Sequence, residues 1–124
     1  MIKEKIKIAG KTVIVGYCYA TEIAYKELSG EDISKFIGEA LTSINMEPRQ
    51  MPDVKKTVFL ILSGIMSYYN AEGQDAPIND THIMNEATPV ELGTAIGTML
   101  NLWAQFYKTP EGETKPKKGK SAKN

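Results

Sequence analysis

The chain has a single cysteine, a single histidine and a single arginine in 124 residues, and each scarcity closes off a class of function. Cys18 alone forms no intramolecular disulfide and no cysteine-based zinc site, which fits a reducing cytosol. It stands between Tyr17 and Tyr19 without an adjacent Lys, Arg or His to lower its pKa, so it reads as a structural thiol. His82 has no serine or cysteine nucleophile matched to it by pattern, and a hydrolytic triad therefore has no support. Arg49 is the only guanidinium, and fifteen basic residues balance fifteen acidic ones. That balance removes the bulk positive field of a nonspecific nucleic-acid or membrane binder.

Long apolar runs are also missing. The longest, Val58 to Met66, is broken by Ser63 and Gly64 and falls far short of the ~20 residues that span a bilayer. The N-terminus, Met1 to Ile6, alternates charged and apolar residues where a signal peptide needs a continuous apolar stretch. Gly10-Lys11-Thr12 lacks the upstream glycine of a phosphate loop and leads into a strand. In the acidic loop with Asp75, Asn79 and Asp80, Pro77 stands where an EF-hand needs a ligand, and the central glycine is absent. The glycosylation sequon Asn79-Asp80-Thr81 is inert in a cytosolic protein. No catalytic residue, metal ligand, cofactor, nucleic-acid site or membrane segment is therefore expected.

What is present is patterned. Ile2, Ile6 and Ile8 alternate with lysines and Glu4, Ala9-Gly10-Lys11 intervenes, and Thr12-Val13-Ile14-Val15 follows, which predicts a hairpin. Ala20, Ile23, Ala24 and Leu28 recur at helical spacing between Tyr17 and Leu28, with Glu22, Lys26 and Glu27 opposite, and Ser29-Gly30 closes this first helix. Ile33, Phe36, Ile37, Ala40, Leu41 and Ile44 form the stripe of a second helix. Pro48 stops it, and Pro52 is expected near the first turn of a third helix, apolar on nearly every face, that runs to about Ala71. After the loop Gly73 to Asp80, Asp80 caps a short turn through Glu86. Thr88-Pro89-Val90-Glu91 opens the last helix with a capping box.

The last helix carries Leu92, Ile96, Met99, Leu100, Trp103, Phe106 and Tyr107 on one stripe. Gly93 and Gly97, one turn apart, let another helix approach closely. They serve either packing on the third helix, where Gly64 makes matching room, or self-association. Beyond Lys108 the residues are Lys-, Gly- and Pro-rich without large apolar side chains, which predicts a disordered tail. The expected architecture is mainly α (α+β): an N-terminal β-hairpin packed on four to five helices in a single domain over 1–108, with a Lys-rich tail over 109–124.

Several segments resemble the tail assembly chaperones of long-tailed bacteriophages and Bacteroides-type prophages: Ile6-Lys7-Ile8-Ala9-Gly10-Lys11-Thr12-Val13, Tyr19 through Ile33, Ala71 through Ile78, and Thr88-Pro89-Val90-Glu91-Leu92-Gly93. The resemblance implies a non-enzymatic role in the cytoplasm of the bacterial host. Such a protein binds and solubilises the tape measure protein, is displaced by the polymerising major tail protein, and is absent from the mature virion. Tyr68, Tyr69, Trp103, Phe106 and Tyr107 are the candidate partner anchors, with core packing as the alternative for the same residues. Family members often have a second, longer product made by ribosomal slippage, and Lys117-Lys118 is encodable by a slippery adenine-rich run. A structural tail component such as a tail-completion subunit and a small DNA-binding regulator are the alternative classes.

Overall fold

A computed structural model of the chain describes residues 1–108. Expectations for 109–124, the disordered tail and the slippage site, lie outside the described residues. Seven elements run in order: β1 (Ile2–Ile8), β2 (Lys11–Tyr17), α1 (Tyr19–Ser29), α2 (Ile33–Ile44), α3 (Val54–Ala71), α4 (Asp80–Glu86) and α5 (Pro89–Lys108). The architecture is the expected hairpin on a bundle of five helices.

The two strands pair antiparallel, with Ile6 opposite Val13 and Glu4 opposite Val15. Period-2 alternation then separates the faces. Ile6, Ile8, Val13, Val15 and Tyr17 are buried, and Lys3, Lys5 and Lys7 stay in water. Ala9 and Gly10 close the turn with φ of 51° and 77°, both in the left-handed region that a twist-matched two-residue turn requires. Gly10 adopts it freely, whereas at Ala9 it costs about 1–2 kcal/mol.

A residue from the far end of the chain supports that turn. The Glu91 carboxylate accepts from Ala9 N at 3.0 Å and Gly10 N at 3.2 Å. It also completes the predicted capping box, accepting from Thr88 N at 3.0 Å while Thr88 Oγ1 accepts from Glu91 N at 3.1 Å. Three amides on one carboxylate tie the start of α5 to the hairpin. The Thr88 amide first, then the turn amides and Lys7, hold the Glu91 carboxyl below its ordinary value.

A carboxyl with a lowered folded pKa contributes stability that is present above its unfolded value and lost as pH falls through the folded one. The gap in urea midpoint between wild type and Glu91→Gln should be widest above pH 4.5 and narrow below it. A gap that persists unchanged into acid would exclude the carboxylate as its source.

α3 lies under β2 and α5 under β1, with α1 and α4 packed on α3. Residues Thr57 through Ile65 of α3 are all buried, as its nearly all-round apolar sequence implies. α2 buries Ile33, Phe36, Ile37 and Ala40. Two helix starts differ from expectation. α3 begins after Asp53, whose carboxylate accepts from Lys56 N at 2.9 Å, so Pro52 precedes the cap instead of entering the first turn. α4 is capped by Asn79, extended in backbone and accepting from His82 N at 2.8 Å, which places Asp80 inside the helix.

The face of α1 is the larger correction. Thr21 and Tyr25 are buried, while Ala20 is exposed and Ile23 is 61% exposed. Hydrogen bonding and aromatic volume outweigh the aliphatic count. Thr21 Oγ1 donates to Gly16 O at 3.2 Å, accepts from Cys18 N at 3.1 Å and shares a 2.8 Å hydrogen bond with Ser67 Oγ of α3. Turning Ile23 inward would strand these polar groups without partners.

Candidate functional site

The five candidate anchors fall into two groups. Tyr68 and Tyr69, half-buried on the last turns of α3, close the outer edge of β2. Ile14 N, which points away from β1, donates to Tyr69 Oη at 3.3 Å. The Tyr68 ring meets Tyr69 edge to face at 4.9 Å and carries Lys3 Nζ above it at 5.4 Å. These contacts account for both tyrosines as supports of the hairpin.

Trp103, Phe106 and Tyr107 gather on the last two turns of α5, against the start of α1. The Phe106 ring sits 5.3 Å from Tyr17 and 5.1 Å from Tyr19, and Trp103 lies 6.1 Å from Tyr107. Trp103 and Phe106 are half-buried, and Tyr107 is 53% exposed, so the stripe of α5 surfaces at its end. Tyr17 and Tyr107 donate their hydroxyls to the same oxygen, Oε2 of Glu22, the former at 2.8 Å. The bond to Glu22 first and desolvation second raise the Tyr107 phenol to about 12. Burial first and Glu22 second raise that of Tyr17 further. Glu22 therefore staples the end of α5 to the β2–α1 junction. No ring contact joins this group to Tyr68 and Tyr69 among the described residues.

Gly93 and Gly97 do not pack on α3. Both are exposed, and a Cβ at either would meet nothing within 4 Å. Gly64 instead receives Met99, whose sulfur and methyl lie 2.7 Å from its Cβ position. The open glycines form one wall of a groove of about 530 Å³, whose other wall is Ile44, Arg49, Gln50, Met51 and Pro52 between α2 and α3. Val90, 78% exposed, stands at its mouth. Helical spacing aligns Val90, Gly93, Thr94, Gly97, Asn101 and Ala104, all exposed and none charged, on one face. Sequence pattern alone did not indicate the opposite wall, because apart from Ile44 at the end of α2 it comes from the irregular segment before α3. Met51, an apolar residue next to Pro52 in a Pro-bearing loop, is the one local signal of it.

Because both Cβ positions are open, Gly93→Ala and Gly97→Ala should each stabilise the protein by about 0.5–1 kcal/mol through helix propensity alone. A higher urea midpoint with unchanged slope checks this. A second shallow groove, about 410 Å³, runs between α1 and α3 and is lined by Met1, Ala20, Ile23, Ala24 and Met66. It is the face that the aliphatic spacing of α1 had assigned to the core. Cys18, free and half-buried, lies at its edge with its sulfur 4.0 Å from Thr21 Oγ1.

His82 is half-buried in the first turn of α4. Among the described residues, no three His, Cys, Asp or Glu side chains gather as a metal site, and no helix is long and apolar enough to cross a membrane. Comparisons with protein-family models, curated proteins and solved structures return no match to this chain.

Proposed function

We propose that the chain is a non-enzymatic tail assembly chaperone that holds an apolar helical stripe of the tape measure protein in the groove beside Gly93 and Gly97. The observation that carries this reading is the open, charge-free face of α5 opposite Met51 and Pro52. Helices approach closely where side chains are small, and Ile44, Met51, Pro52 and Val90, beside the polar Arg49 and Gln50, offer burial to a partner that exposes apolar stripes before assembly. The resemblance of the hairpin and of Thr88 through Gly93 to the chaperone family supplies the partner. The major tail protein, polymerising around the same partner, would release the chaperone. A DNA-binding regulator is disfavoured by a body in which ten basic residues face thirteen acidic ones over 1–108.

On this reading a tape measure protein is encoded beside the chain, and co-expression should move that protein from pellet to supernatant and copurify the two. At Gly97 a Cβ meets nothing within 4 Å, so Gly97→Leu starts its side chain in open space and narrows the groove; it should return the partner to the pellet while an unchanged urea midpoint shows that the fold is kept. An unchanged pellet with wild type would defeat the chaperone reading. Solubilisation that survives Gly97→Leu would relocate the binding face.

A further inference from the structure

We infer that the outer edge of β1 is a seat for an extended segment of a partner protein that carries acidic residues at alternate positions. The inference does not depend on the function proposed above. In an antiparallel pair, alternate residues turn their amide and carbonyl away from the other strand. Ile14 N points away from β1, and Ile14 stands opposite Lys5. The outward row on β1 is therefore Lys3, Lys5 and Lys7, and on β2 it is Thr12, Ile14 and Gly16.

The two rows differ in what meets them. On β2, Ile14 N donates to Tyr69 Oη at 3.3 Å, and Gly16 O accepts from Thr21 Oγ1 at 3.2 Å and from Ser67 Oγ at 3.4 Å. On β1, no outward amide or carbonyl of the three lysines has a hydrogen-bond partner among the described residues. An open edge is ordinarily blunted by a short strand, a proline, a bulge or a covering element. β1 runs for seven residues without a proline, and its register with β2 is one to one, without a bulge. It offers a full strand's length of backbone for the addition of another strand.

Charge names the occupant. The side chains of Lys3, Lys5 and Lys7 share one face of the strand and are exposed. Lys3 lies over the Tyr68 ring and Lys7 in the field of Glu91, yet none of the three forms an ion pair among the described residues. Residues directly opposite on an added strand come within about 5 Å of them, so carboxylates at every second position are attracted and lysines repelled. A second copy joined antiparallel along this edge would set these lysines against one another in every register, and like charges so placed are destabilising.

Titrating the isotopically labelled full chain with a blocked heptapeptide of alternating glutamate and valine tests the edge by amide hydrogen exchange. Exchange at Lys3, Lys5 and Lys7 should slow by at least about tenfold at saturation, while Glu4, Ile6 and Ile8, already bonded to β2, change little. The lysine–valine counterpart of the peptide should not bind. Lys5→Glu, at an exposed position, should weaken the acidic peptide by about tenfold at an unchanged urea midpoint, and Lys5→Arg should bind it as wild type does. Absence of binding overturns the inference, and equal binding of both peptides removes the acidic requirement and overturns it as well. Binding that moves the lysine side chains without slowing the alternate amides does the same, since the contact would then be charge alone. Slowed alternate amides in the free chain are the last contrary result: the edge is then covered by a second copy where the slowing grows with concentration, and from within the chain where it does not.

Discussion

Gly64→Leu should destabilise the protein by about 3 kcal/mol, the opposite sign to Gly93→Ala on a neighbouring helix. At Gly64 a Cβ meets the Met99 sulfur and methyl at 2.7 Å and Val15 Cβ at 3.2 Å. Met99 has a flexible end and can swing aside for a methyl group. Val15 is a strand residue with no exposure, and a leucine would have to displace it along with β2. Helix propensity favours Leu over Gly by up to about 1 kcal/mol, so the overpacking must exceed that gain before any loss is seen. Chemical denaturation decides the matter. A Gly64→Leu midpoint at or above wild type would mean that α3 and β2 are not in the contact described.

These glycines also show how much was legible in the sequence. The stripe Leu92, Ile96, Met99 and Leu100 correctly gives the inward face of α5, and Ile96, Met99 and Leu100 are buried. Gly93 and Gly97 flank that stripe, yet small size alone does not say whether a helix or solvent lies beyond. Only the placement of α3 answers that. The capping box at Thr88 was readable because its partners are three residues apart, whereas the two turn amides that Glu91 also holds come from the hairpin.

The face of α1 was misread for the same reason. Ile23 and Ala24 look like core by hydropathy, and the hydroxyl of Ser67, 46 residues away, is what makes Thr21 an inward residue. Of the candidate anchors, sequence named the aromatic residues but not their neighbours. Glu22, which joins Tyr17 to Tyr107, carries no local signal of that role.

Phe36→Ala is expected to be the most destabilising single truncation, about 3–5 kcal/mol. Phe36 has no exposure, and its ring stacks on that of Tyr25 with centroids 6.0 Å apart and planes 16° apart. Tyr25 is also fully buried along its ring, and its hydroxyl donates to Glu31 Oε2 at 2.8 Å, just before α2. Burial first and Glu31 second hold this phenol well above its ordinary value, so it remains a donor throughout the stable pH range. Removing Phe36 leaves a cavity against that ring, and a buried tyrosine tethered at its far end cannot turn to fill it. The loss should therefore sit near the upper end of the range, with a fall in midpoint temperature of about 4 to 8 °C per kcal/mol for a domain of this size. Tyr25→Phe separates the contributions: it keeps the stack and gives up one hydrogen bond, for about 1 kcal/mol. If the tyrosine truncation proves the costlier of the two, the stack is not the main tie between α1 and α2, and the hydroxyl to Glu31 is.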